Sequence, residues 1–278
     1  MSFVTRAMTP GDLDRVIDWA AAEGWNPGRH DAACFRTVDP AGFIIGELDG
    51  APISSISAVN YDARFSFLGL YIVRPDLRGR GYGLQTWNAA MAHGGARNIG
   101  LDGVVAQQKN YKKSGFALAY RNIRFAGRAA DGPCSGRIVT LSRMPFERLL
   151  AYDRPLFPAA RSGFLRAWIT QPGHVGLGLI GGQGVLIGYG VVRPSQQGCK
   201  IGPLFADSAE AAEALFVALS AQAGGDLYLD VPEPNPAAVK LAERHGMTPV
   251  FETARMYTGP APDIDLRRIF GVTSFELG

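Results

Sequence analysis

Arg78-Gly79-Arg80-Gly81-Tyr82-Gly83 stands between an apolar run ending at Val73 and a helical pattern with Leu84, Trp87 and Met91 on one face. Pro75 breaks the strand, and the alternating glycines let a ligand approach the backbone closely. Outward amides, the positive end of a helix and the guanidinium groups of Arg78 and Arg80 make a cradle suited to a pyrophosphate. The same spacing also describes an ordinary glycine-rich turn with two solvated arginines, because isolated glycine patterns are weak signals. Other chemistry-bearing patterns fail their context. Gly176-Leu177-Gly178-Leu179-Ile180-Gly181 spells a dinucleotide fingerprint but runs into a strand rather than a helix. Ser114, after two lysines, lacks the glycine frame of a P-loop. His30, His93, His174 and His245 show no metal-ligand spacing, so no metal is expected. Cys34, Cys134 and Cys199 are far apart and form no CxxC, which points to neither a disulfide framework nor a zinc knuckle. None lies near the glycine motif to act as a nucleophile.

Arg78 to Gly83 fits the Arg/Gln-x-x-Gly-x-Gly/Ala signature of the GNAT family of N-acetyltransferases, which the chain resembles. Asn110-Tyr111-Lys112-Lys113-Ser114-Gly115-Phe116 is similar to that family's Tyr-x-x-x-Gly-Phe segment. The resemblance covers residues 3–127. Gly24-Trp25-Asn26-Pro27-Gly28 and the closing stretch from Arg255 to Gly278 resemble its tandem, YitH-like subgroup. The resemblance implies acetyl-CoA lying in a V between the strand ending at Val73 and the one near Val104. Backbone groups of Tyr71 and Val73 are implied to hold the pantetheine, and a strand distortion there to aim an amide at the thioester oxygen. The amides of Gly79, Arg80, Gly81, Tyr82 and Gly83 are implied to hold the pyrophosphate. Tyr111 matches the family's general acid: a phenol with a reference pKa of about 10 is matched to a departing thiolate. An aromatic ring merely packed over the last helix is the competing reading. Where many members carry Asn, eleven residues before the glycine, Val104 stands here, and Gln107, Gln108 and Lys109 replace part of the short helix.

An acceptor amine must lose a proton, so a base or a water wire is needed. Glu47 and Asp62 are the candidates, though each also suits a solvated strand position. Trp25 and Asn26 lie in the loop that lines the acceptor groove in this fold. Asp230 and Glu233 could attract a cationic amine from the second half.

The elements that must position these residues alternate between strand and helix patterns. Phe3–Ala7 reads as a strand. Thr9-Pro10-Gly11-Asp12 opens a helix with Leu13, Val16, Ile17 and Ala20 at helical spacing. A second helix is expected over His30–Thr37. Asp49-Gly50 joins Phe43–Leu48 and Ile53–Asn60 as a hairpin. Phe65–Val73, Ile99–Val105 and Ala119–Ala126 are further strands. Residues 127–136 read as a linker from their Gly, Pro and Ser content. Ile138–Leu141 resumes a strand, Phe146–Ala151 and Ala159–Ile169 read as helices, and Val175–Ile180 with Val185–Arg193 forms a Gly-rich hairpin. Ile201–Phe205 feeds a helix at Ala209–Ser220, with Asp207 and Glu210 at capping-box spacing. Leu227–Val231, Pro236–Arg244 and Val250–Tyr257 are strand, helix and strand.

The halves therefore run in parallel, as a divergent internal duplication. The expected fold is α+β: two tandem lobes, 1–127 and 128–278, each a mixed, mostly antiparallel sheet flanked by helices. In the second, Asn235 keeps the position eleven before Gly246, but Ala242 replaces the tyrosine. Phe205-Ala206-Asp207-Ser208-Ala209-Glu210 replaces the phosphate loop, and its carboxylates would repel a pyrophosphate. This lobe reads as a degenerate copy that shapes packing or the acceptor pocket.

Composition agrees. Formal net charge is +3, and all of it belongs to residues 1–127, with 14 Lys+Arg against 11 Asp+Glu. That suits a small anionic ligand and is too weak for nucleic acid. The second half is neutral, which argues against a tRNA donor. No apolar run reaches the roughly 18 residues of a membrane span. The start of the chain has no secretory pattern, and the default location is a reducing cytoplasm. The expected activity is direct acetyl transfer from acetyl-CoA to a primary amine of a small molecule or peptide, by a monomer or homodimer. A non-catalytic CoA or amine sensor, and an acyltransferase with a longer donor, are the alternatives.

Overall fold

The structure is a computed structural model that describes residues 2–129, 132 and 136–278. The middle of the expected linker, with Cys134, lies outside the described residues.

The first half contains β1 (Phe3–Ala7), α1 (Pro10–Ala22), α2 (Asp31–Phe35), β2 (Phe43–Leu48), β3 (Ala51–Asn60), β4 (Phe65–Val73), α3 (Tyr82–Gly94), β5 (Asn98–Val104), α4 (Gln108–Lys113) and β6 (Ala117–Arg128). The second contains β7 (Arg137–Thr140), α5 (Phe146–Asp153), α6 (Ser162–Thr170), β8 (Val175–Ile180), β9 (Leu186–Pro194), β10 (Cys199–Ala206), α7 (Ala209–Ser220), β11 (Asp226–Pro232), α8 (Pro236–Arg244), β12 (Thr248–Tyr257) and β13 (Ile269–Gly271). Local chemistry sets the boundaries. The Thr9 hydroxyl accepts the Asp12 N–H at 3.2 Å, and the Asp12 carboxylate accepts the Thr9 N–H at 2.8 Å, a closed capping box. Asp49 and Gly50 take φ of 50° and 81°, the left-handed pair that a two-residue hairpin needs. At α7 the cap is Ser208, whose hydroxyl accepts the Ala211 N–H; Asp207 instead accepts hydrogen bonds from Tyr152 and Arg268. The expected Asp207–Glu210 box is replaced by this cap, because the flanking tertiary partners claim Asp207.

All strands join one sheet, in the order β1-β2-β3-β4-β5-β12-β6-β11-β10-β9-β8-β7, with β13 added on β10. Among the described residues only β4–β5 and β10–β11 pair in parallel. The order is symmetric about its centre, as a duplication requires. The final strands, however, are exchanged. β12 pairs with β5 (Thr253 opposite Val104), and β6 pairs with β11 (Leu229 opposite Phe125). Each half completes the other's sheet. Periodicity places residues in strands but does not choose their partners.

The cores merge as well. One cluster joins Leu13, Phe35 and Ile45 of the first half to Trp168, Tyr189 and Phe205 of the second, and the Phe35 and Trp168 rings stack with centroids 6.2 Å apart. Asp31 on α2 and Arg193 on β9, both fully buried, pair across this junction at 3.0 Å. No helix among the described residues is long and apolar enough to cross a membrane.

Candidate active site

β4 and β5 stay paired only from Phe65–Asn98 to Leu68–Leu101, and then splay. The divergence opens a cleft of 490 Å³ at the carboxyl ends of the two parallel strands. Beside it, Leu70 and Tyr71 together face the single residue Ile56 of β3, a β-bulge in which Leu70 takes φ 51°. A side chain at positive φ is strained, and such strain collects at functional positions. The Ser55 hydroxyl holds the bulge by donating to the Leu70 carbonyl at 2.7 Å.

α3 begins at the mouth of this cleft. Its N-cap is Gly81 at φ 85°, no side chain caps it, and Gly79 also has positive φ. A Cβ at either glycine would meet nothing within 4 Å. The first-turn amides are therefore open to an anion. Gly83 differs: a Cβ there would lie 2.7 Å from the Tyr71 hydroxyl and 2.9 Å from Val73, so this glycine also lets α3 sit against β4. Arg80 is exposed. Arg78, expected to add charge to the cradle, lines the cleft, donates to the Val73 carbonyl at 2.9 Å and pairs with Glu23. Tyr82 packs its ring on Phe3, centroids 5.2 Å apart.

Tyr111 on α4 reaches the same cleft. Its ring stacks on Trp87 at 5.7 Å and lies against Gly103, where a Cβ would come within 2.2 Å of it. Burial pushes the phenol's pKa above its ordinary 10, and Tyr71 adds to the rise. Its hydroxyl has no hydrogen-bond partner among the described residues.

The far wall is formed by Trp25, Phe251, Thr253, Phe275 and Glu276. Of the acceptor-side expectations, only Trp25 lines the cleft. The Asn26 side chain is bonded to Gln197, donating to its carbonyl at 3.1 Å and accepting its N–H at 2.8 Å. Glu47 pairs with Arg6, and Asp62 accepts the Arg64 and Phe65 N–H groups in a turn; neither lines the cleft. Asp230 is spent on Arg124, at 2.6 and 2.8 Å, and Glu233 on Arg121. Beneath this wall Lys200 is buried, and burial first, then Arg124, push its pKa down to about 8. The closing stretch resembles the tandem subgroup as a whole, and that resemblance assigns no role to Phe275 or Glu276. The available signal was a single acid inside the apolar run Phe275-Glu276-Leu277.

The second lobe shows the same frame with its cleft filled. β13 lies in the splay of β10 and β11: Gly271 pairs with Leu204, and the Val272 N–H donates to the Asp230 carbonyl at 2.8 Å. Asn235 caps α8 and donates to the carbonyls of Arg267 and Ile269, so it holds this tail. Gly202 and Pro203 form the bulge opposite Val191, and Pro203 offers no N–H.

Family models match twice: "Acetyltransferase (GNAT) family" over residues 13–116, and "Acetyltransferase (GNAT) domain" over 149–271. A relative from Pseudoalteromonas sp. (strain SANK 73390), named holothin acyltransferase, is 32% identical over 95% of this chain and 90% of its own length. The chain belongs to the GNAT family. This GNAT chain also resembles solved structures in fold. A Pyrococcus horikoshii protein matches with TM-score 0.85 at 22% identity, over 99% of this chain and 96% of that one. A tandem GNAT protein from the clavulanic acid biosynthesis pathway matches with TM-score 0.64 at 14% identity, over 94% and 100%. The GNAT chain is thus an acyltransferase with two GNAT domains, and an acyl-CoA and an acceptor are its expected ligands. Among the described residues no three His, Cys, Asp or Glu side chains converge as metal ligands.

Proposed function

We propose that the first lobe, residues 1–127, transfers acetyl from acetyl-CoA to a primary amine of a small molecule, and that the second lobe, 128–278, shapes the site. The observation that carries this reading is the convergence on one cleft of the bulge at Leu70–Tyr71, the uncapped start of α3 and the Tyr111 hydroxyl. The open cradle at Gly79 and Gly81 fits a pyrophosphate, and the splayed edge of β4 from Tyr71 to Val73 offers backbone groups to a pantetheine. Bound acetyl-CoA supplies an activated thioester. The bulge amide stabilises negative charge that builds on the thioester oxygen. Tyr111, kept protonated by burial, donates its proton to the departing sulfur. The relative named for acylating holothin supports a small-molecule acceptor. Free Cys34 and Cys199 suit a cytoplasmic location.

The test is thiol release from acetyl-CoA with 2-phenylethylamine, lysine, spermidine, aniline and 4-aminobenzoate. Amine-dependent release is the expected result. Acetyl-CoA binding with no release would favour a sensor, and faster release from a longer acyl-CoA would reassign the donor. Gly81→Glu places a carboxylate at the helix start, at a φ that L residues resist. It is expected to raise the acetyl-CoA Kd by more than about tenfold, or 1.4 kcal/mol, in a calorimetric titration. An unchanged Kd would remove this loop from the donor site.

A further inference from the structure

The tail that fills the second lobe continues into the first. After β13, the Thr273 hydroxyl accepts an N–H of Arg161 at 2.9 Å, and the Leu277 carbonyl accepts the Tyr61 hydroxyl at 2.9 Å. Between them the Ser274 hydroxyl accepts the Leu277 N–H at 3.1 Å, closing a turn. Glu276 is held inside this turn. Its carbonyl packs so closely on β4 that a Cβ at Gly69 would lie 2.1 Å from it, directly before the bulge. Glu276 lines the cleft, yet the residue is only 3% exposed, and Oε2 is buried with no hydrogen-bond partner.

Arg124 and Lys200 lie close enough to act on this carboxylate electrostatically, but neither donates it a hydrogen bond. Arg124 has each of its donor nitrogens engaged: two on the Asp230 carboxylate and one on the Trp25 carbonyl at 2.5 Å. Its guanidinium also sits 4.8 Å from the Phe275 ring. Lys200 leans on the Trp25 carbonyl at 3.5 Å. Charge compensation for these cations accounts for an acid nearby, but not for a carboxylate oxygen left buried without a donor, which destabilises the fold.

We infer that Glu276 is the catalytic base of this site and accepts the proton of the acceptor amine. This rests on the acetyl-transfer reading above. As the N–C bond forms and the C–S bond breaks, the Glu276 carboxylate takes the proton that nitrogen sheds. Tyr111 gives its own proton to sulfur. After the products leave, solvent carries the proton from Glu276 back to Tyr111, so charge and atoms balance over one turnover. The aromatic walls at Trp25, Phe251 and Phe275 surround this acceptor end. The tail of the lobe whose own cleft is filled thereby supplies the acid–base group that Glu47 and Asp62 are too remote to provide.

The test is Glu276→Gln, which keeps the shape and removes the base. The assay uses acetyl-CoA and whichever amine of the panel gives the fastest wild-type release. Expected are a fall in kcat/KM for that amine of about 10²–10³-fold and an acetyl-CoA Kd within twofold of wild type. Glu276→Ala is the second variant: added formate should restore part of its rate, whereas the glutamine variant should gain nothing. Activity of Glu276→Gln within threefold of wild type would overturn the inference. So would a rate loss accompanied by an equal loss of acetyl-CoA affinity, or formate-insensitive Glu276→Ala. No amine-dependent release from the wild type would instead overturn the acetyl-transfer reading, and this inference with it.

Discussion

Tyr111→Phe is expected to lower kcat by about 10²–10⁴-fold, equivalent to about 3–5 kcal/mol of transition-state stabilisation. The substitution removes only the hydroxyl. The ring keeps its stack on Trp87 and its seat on Gly103, so stability and acetyl-CoA affinity should hold. The sign of the pH dependence follows from the raised pKa. A group that donates a proton works below its pKa, and burial moves that of Tyr111 upward from 10. Wild-type activity should therefore show no Tyr111-linked loss as pH rises from 7 to 9.5. A steady-state pH profile of both proteins checks this. Equal turnover of the two would leave Tyr111 as a packing residue.

Asp31→Ala is expected to be the most destabilising of the substitutions considered, by about 3–5 kcal/mol. Among the described residues Arg193 would keep the Gly202 carbonyl and the Trp168 ring, 4.5 Å from the guanidinium, as its direct contacts, with no ion pair to offset its buried charge. The Gly28 N–H would lose its acceptor at 3.0 Å as well. Replacing both members together, as Asp31→Leu with Arg193→Met, should cost much less, because no charge is then stranded. Denaturant midpoints of the three proteins measure the difference. A single-variant loss below about 1 kcal/mol would mean that water reaches the guanidinium and the pair is not truly sealed.

The donor half of the candidate site was legible because it is local. Gly79 and Gly81 announce an uncapped helix start, Val73 the end of a strand, and Tyr111 with Gly115 a short helix and its stop. Each reading needs only a handful of neighbours in sequence. The acceptor half was not legible, since it is assembled from distant pieces. Phe251 and Thr253 arrive on β12, and Phe275 and Glu276 on the tail, and nothing nearby in sequence marks where they dock. Glu47, Asp62 and Asn26 had the right chemistry in the right half, yet Arg6, a turn and Gln197 occupy them. Arg78 does line the cleft, but its pairing with Glu23, 55 residues away, could not be read from its neighbours. The duplication was visible as repeated element order, whereas the crossing of β6 and β12 was not, because both strands would look the same in either sheet.

That crossing governs how the molecule is made. β5 gains its neighbour only when residues 253–257 arrive, long after β5 itself has been made. Until then the growing first half carries an unpaired strand edge beside its cleft, and β6 waits for β11. Pairings of such long sequence separation fold slowly and leave edges open to other chains. The sheet of the first half therefore cannot close until most of the second half has been made.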